Sequence, residues 1–133
     1  MTHRFDLRVY YEDTDLAGIV YYANYLKFIE RARSEWIAAL GVDQMALKRA
    51  AGVVFAVRRV VADYLRPAHF GDALSVVSRL TAVSGARFEI DQQVLRGDSV
   101  LFAAEVTVVC LGANGAAARI PAEIRRLLAQ DLA

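Results

Sequence analysis

A chain of 133 residues, 56% of them hydrophobic, has enough apolar content to fold as one domain over residues 1–133 and too much to stay disordered. Its 16 basic and 15 acidic side chains nearly cancel, leaving a formal charge of +1 and no global field to recruit nucleic acid or an anionic membrane. The single cysteine, Cys110, cannot form an internal disulfide, and with only His3 and His69 beside it a zinc site lacks ligands.

Met1 to Asp6 lack the apolar core of a signal peptide, and no apolar run reaches the ~18–20 residues of a membrane span, so a cytoplasmic setting is expected. Phe5, Leu7, Val9 and Tyr11 alternate with Asp6, Arg8 and Tyr10 and predict a half-buried strand. Glu12 to Gly18 is a polar loop closed by a glycine. Asn24 reads as the N-cap of a helix running to about Leu40, with Gly41 as its stop. Tyr25, Phe28, Ile29, Ala32, Trp36 and Leu40 fall on one apolar face of that helix.

Asp43 to Ala50 reads as a small helical or irregular stretch. Val53 to Leu65 is an apolar, β-branched strand interrupted by Arg58 and Arg59, and Pro67 to Asp72 is a turn. Leu74 to Val83, Arg87 to Leu95 and Val100 to Leu111 alternate as strands, separated by Ser84-Gly85 and Gly97-Asp98. A tail helix is expected to begin at Pro121, a favoured first helical residue. The order strand, helix, four strands gives an α+β fold, one antiparallel sheet crossed by one long helix. The last strand is expected at an exposed edge, and at least a dimer would cover it.

No G-x-S-x-G, P-loop, G-x-G-x-x-G or paired-cysteine motif occurs, so catalysis would rest on carboxylates and backbone groups. Glu12, Asp13 and Asp15 place three acids within four residues, just upstream of the helix. An EF-hand register fails, because Ala17 takes the fifth position and Asn24 the twelfth, where a bidentate Glu is needed. The bland reading is a solvated loop whose charges favour the helix end by ~0.3–1 kcal/mol each. Its apolar flanks and the following Tyr21, Tyr22 and Tyr25 point instead to a loop facing a groove.

Val9-Tyr10-Tyr11-Glu12-Asp13-Thr14-Asp15, then Ala17 to Tyr21, then Asn24 to Arg33, together with Leu65 to Asp72, carry a resemblance. The segments resemble the signature of hotdog-fold acyl-CoA thioesterases of the 4-hydroxybenzoyl-CoA thioesterase family, in particular the bacterial branch encoded beside the Tol–Pal envelope system. The resemblance implies a hotdog fold, a long central helix wrapped by a five-stranded antiparallel sheet. It also implies dimers, or homotetrameric pairs of dimers, with active sites between subunits. It places the catalytic carboxylate on Asp15 and the carbonyl-polarising N–H near Tyr22. Many members of the Tol–Pal branch carry histidine at the position of Tyr22, whereas the hydroxybenzoyl branch carries tyrosine.

Asp15 could attack the thioester or act as general base on water, so no metal or other cofactor is expected, coenzyme A being part of the substrate. Gly18 and Tyr25 fall among the substrate-binding positions. Glu30 either contacts the acyl group or pairs with Arg33 or Ser34. Arg58 or Arg59 points into a cleft towards CoA phosphate or into solvent, and Arg87 sits where relatives place basic residues for the nucleotide of CoA. His69 suits a structural hydrogen bond, and Cys110 a core thiol. The alternative function is a non-catalytic module binding an acyl thioester or an acyl carrier protein. A dehydratase would need a His–acid pair that His69 does not supply.

Overall fold

The apolar face of the long helix decides the architecture. In the computed structural model, which describes residues 1–132, this helix, α1, spans Asn24–Ala39. Tyr25, Phe28, Ile29, Ala32 and Trp36 are each no more than 3% exposed. Gly41 ends the helix with φ +92°, a conformation that suits glycine, and its N–H donates to the Ala38 carbonyl at 2.9 Å. The N-terminus departs from expectation, because Ala23 occupies the cap position and Asn24 is already helical.

Five strands carry the helix: β1 (Thr2–Arg8), β2 (Val54–Tyr64), β3 (Ala73–Val83), β4 (Arg87–Arg96) and β5 (Ser99–Leu111). Two further helices complete the chain, α2 (Gln44–Ala51) and α3 (Ala122–Asp131). The strand order is β1-β3-β4-β5-β2, and every pairing is antiparallel. Phe88, Ile90, Gln92 and Val94 of β4 face α1, as do Phe102, Ala104, Val106, Val108 and Cys110 of β5. This is the hotdog arrangement that the resemblance implies.

The sheet corrects one expectation. β5, the last strand, is interior, and the edges are β1 and β2. Pro67 to Asp72 is therefore part of a crossover over the end of the sheet, since β2 and β3 are not neighbours. β2 bulges between Val57 and Arg59, which leaves Arg58 as the extra residue in the register against Val108 and Thr107.

A small polar cluster sits between helix and sheet. The Gln92 side chain, fully buried, donates from Nε2 to the Ile29 carbonyl and to Ser78 Oγ, both at 2.9 Å. Its Oε1 accepts from the Arg33 guanidinium at 2.8 Å. At the other end of α1, Trp36 Nε1 donates to the Asp131 carboxylate at 2.9 Å, which ties α3 beneath it. Pro121 caps α3 with ψ 139° rather than opening it, so that helix starts one residue later than expected.

Candidate active site

Beyond β1 the chain crosses the sheet end: Val9 N–H donates to the Asp72 carbonyl at 2.9 Å. Tyr11–Asp13 then form one 3-10 turn, which buries the first aspartate of the Asp-Thr-Asp triplet to 5% exposure. Asp13 Oδ2 accepts from Tyr10 N–H and Oδ1 from Asn24 Nδ2, both at 2.9 Å. Its carbonyl accepts from Tyr21 N–H at 2.8 Å. Asn24 is thus recruited away from capping its own helix, and Asp13 fastens the loop to the helix start.

Asp15 is exposed. Its Oδ1 accepts from Ala17 N–H at 2.9 Å, a local turn that fixes the carboxylate while no hydrogen bond occupies Oδ2 among the described residues. Gly18, with φ +79°, returns its N–H to the Asp15 carbonyl at 3.0 Å, and Asp15 N–H donates to Ile19. No added Cβ at Gly18 would meet a neighbour within 4 Å, so the glycine serves the turn through its backbone angle.

The loop is secured from a distant segment. Val20 N–H donates to the Ala68 carbonyl at 2.9 Å, and Ile19 bridges His69. Ala68 N–H in turn donates to the hydroxyl of Tyr25 at 3.1 Å. Tyr25 is therefore a core residue stacked on Phe102 at 5.0 Å, and burial raises its phenol pKa. The backbone N–H of His69 donates to the Asp72 carboxylate at 2.8 Å, while its imidazole Nδ1 lies 3.9 Å from the same carboxylate. Burial works to raise the Asp72 pKa, but the His69 N–H and the Arg96 guanidinium at 2.8 Å outweigh it and hold it low.

Tyr22 is exposed just before α1. Its carbonyl accepts from the hydroxyl of Tyr64 at 3.0 Å, while its N–H meets no acceptor among the described residues. An unclaimed N–H at the positive end of a sixteen-residue helix is suited to an oxygen that is gaining charge. Tyr64 escaped the sequence reading, since nothing local marks it; only the fold brings it over the helix start.

The remaining residues are spread out. Glu30 is exposed, accepts from Ser34 Oγ at 3.2 Å, and lines a cavity of about 170 Å³ with Arg33, Phe55, Val57, Phe88 and Val108. Burial lowers the pKa of Arg33, and the Glu30 charge opposes that shift. Arg58 is exposed at the bulge. Arg59 lines a groove of about 270 Å³ with Glu89, Asp91 and Glu105 on the sheet face away from α1. Arg87 opens β4 opposite Val109, whereas Tyr64 lies opposite Phe102. Seven positions at ~3.3 Å each put Arg87 roughly 23 Å along the sheet from the helix start. One chain therefore does not bring Asp15 and Arg87 together. Cys110 is buried, and burial raises its thiol pKa.

A family model for the Thioesterase-like superfamily matches residues 9–128. The chain belongs to that superfamily. The acyl-CoA thioesterase YbgC of Haemophilus influenzae is 39% identical to this member over 107 residues, covering 80% of the chain and 79% of the relative. Among solved structures, a probable thioesterase from Bartonella henselae has a TM-score of 0.87 at 36% identity, covering 91% of this chain and 100% of that one. A 1,4-dihydroxy-2-naphthoyl-CoA thioesterase from Synechocystis reaches 0.88 at 26% identity, covering 99% of this thioesterase-like chain and 98% of its own. No helix among the described residues is long and apolar enough to cross a membrane, and no group of three or more His, Cys, Asp or Glu gathers there as a metal site.

Proposed function

We propose that this chain hydrolyses acyl-CoA thioesters to the free acid and coenzyme A, with Asp15 as nucleophile or general base and the Tyr22 N–H as donor to the thioester oxygen. The observation that carries this reading is the contrast within one loop. Asp13 is buried with both oxygens bonded, whereas Asp15 is exposed with one oxygen free, on the loop that leads into α1.

As general base, Asp15 takes a proton from water while the water oxygen bonds to the carbonyl carbon. The oxyanion then collapses, the C–S bond breaks, and the sulfur leaves with its electron pair and is protonated. As nucleophile, the carboxylate displaces the thiolate itself, and water cleaves the resulting anhydride. A positioned base contributes about 10²–10⁴-fold, and one oriented donor on the oxyanion ~2.7–4 kcal/mol. No cofactor enters either route.

The acyl group is a short aliphatic chain or one aromatic ring, with Glu30 at its far end. The cavity beside Glu30 is about 170 Å³, close to the ~150 Å³ that holds benzene in an apolar core. Gly18 and Tyr25 shape the loop and the wall behind it, and Arg58 and Arg87 take the phosphates of CoA. Arg87 reaches them across a subunit boundary. β2 is an edge whose Val54, Val57, Val60, Val61 and Tyr64 are all at least 37% exposed, and a second copy pairing antiparallel there covers them. That pairing sets one protomer's β4 start beside the partner's helix start. The protein acts as a homodimer or a dimer of dimers in the cytoplasm.

Release of free thiol from short-chain, long-chain and aromatic acyl-CoAs tests this. Turnover of at least one class, abolished in Asp15→Asn, is expected. Binding of acyl-CoA or an acyl carrier protein without hydrolysis would install the non-catalytic alternative instead.

A further inference from the structure

The Tyr21–Asn24 segment is a tight turn, closed by Asn24 N–H on the Tyr21 carbonyl at 2.8 Å. Its central peptide, Tyr22–Ala23, can adopt two orientations that differ by about half a turn. One keeps the third residue at negative φ, and the other needs φ near +80° there. Ala23 has φ −70° and ψ −20°, so the turn is in the first form. In that form the Tyr22 carbonyl points away from the N–H groups at the start of α1, as carbonyls do in a helix. In the flipped form the carbonyl would point to the side those N–H groups face and would oppose a developing negative charge.

The Tyr64 hydroxyl donates to that carbonyl at 3.0 Å. Its ring is held by Phe102 at 5.0 Å, Tyr25 at 5.6 Å and Tyr22 itself at 6.1 Å, all edge-on. The donor therefore stands on the sheet edge at a fixed place and reaches one face of the turn. We infer that Tyr64 is a positioning residue, whose hydroxyl locks the Tyr22–Ala23 peptide so that its carbonyl stays turned away from the thioester oxygen that the Tyr22 N–H, on the preceding peptide, meets. This rests on the thioesterase reading above. Ala23 holds the same state by a second means, because its Cβ disfavours the positive φ of the flipped turn.

The test measures kcat and KM on a hydrolysed acyl-CoA for Tyr64→Phe, Ala23→Gly and the double variant, with Asp15→Asn alongside and thermal melts of all four. Tyr64→Phe keeps the ring and should lower kcat roughly 3- to 10-fold, the worth of one hydrogen bond, with KM unchanged. Ala23→Gly alone should cost less, since Tyr64 still holds the carbonyl. The double variant should lose more than the product of the two single losses, because both locks are gone. A purely structural role would appear as a lowered melting temperature with multiplicative kinetic effects. Wild-type kcat in Tyr64→Phe, a loss confined to KM, or a double variant equal to the product of the singles would overturn the inference. If Asp15→Asn is inactive while Tyr64→Phe turns over normally, only the inference falls. If Asp15→Asn keeps full turnover, or the wild type has none, the reading beneath it falls as well.

Discussion

Two aspartates separated by a single threonine should fail in opposite ways. Asp13→Ala removes the acceptors of the Tyr10 N–H and the Asn24 amide in a pocket only 5% exposed. Two charge-assisted bonds to buried donors are worth about 3–5 kcal/mol together, out of a total stability of ~5–15 kcal/mol. For a domain of this size that corresponds to a fall of roughly 10–18 °C in melting temperature. Asp15→Asn, by contrast, keeps the oxygen that accepts from Ala17 N–H, so its stability should lie within ~0.5 kcal/mol of wild type. Its turnover should fall about 10²–10⁴-fold. Calorimetric melts paired with thiol release on the same samples separate the two effects. An Asp13→Ala protein melting within a few degrees of wild type, or an Asp15→Asn protein that turns over normally, would refute this division of labour.

Gln92→Leu should destabilise by about 2–3 kcal/mol in urea unfolding, because it leaves the buried Ile29 carbonyl and Ser78 hydroxyl without their donor and the half-buried Arg33 guanidinium without its acceptor. Asp72 has a folded pKa below its unfolded value, so its contribution is complete above the ordinary carboxylate range and is lost as pH falls through the depressed value. The stability gap between wild type and Asp72→Asn should therefore hold steady around neutrality and close on acidification, as followed by urea melts across pH; a gap that widened in acid would reverse the assignment. Val60→Lys on the β2 edge should halve the mass seen by light scattering and remove most of the turnover, while a fully active monomer would place the active site within one chain.

The long helix was legible because six apolar residues at helical spacing leave no other arrangement, and five of them are nearly inaccessible in the structure. The bounds of β2 to β5 were legible from alternation to within a residue. By contrast, β1 runs from Thr2 to Arg8, three residues earlier at each end than the alternation from Phe5 to Tyr11, because Tyr11 turns into the 3-10 turn that buries Asp13. Strand order was not, since a run of turns reads as a meander whether or not its first member lies beside the second. The pair Arg58-Arg59 together with Asp63 did mark β2 as a strand that cannot be buried on both sides, and this signal of an edge was open to use. The roles of Asp13 and Asp15 could not be divided by residue type, as both are aspartates in one loop. What separates them is a contact with Asn24, eleven residues on. Asn24 itself looked like a cap for the same reason: a local rule holds until a distant partner claims the side chain.

The anchoring of Val20 on Ala68 has a consequence for how the protein comes into being. A growing chain that has emerged only as far as β2 already holds every residue of the Asp15 loop, yet neither the carbonyl that receives Val20 nor the turn that backs Ile19. Closing that loop spends chain entropy over a long separation, and the return comes only once the crossover is laid down. The Asp15 loop therefore cannot close before the crossover is made, and a chain halted at the end of β2 should hydrolyse no thioester.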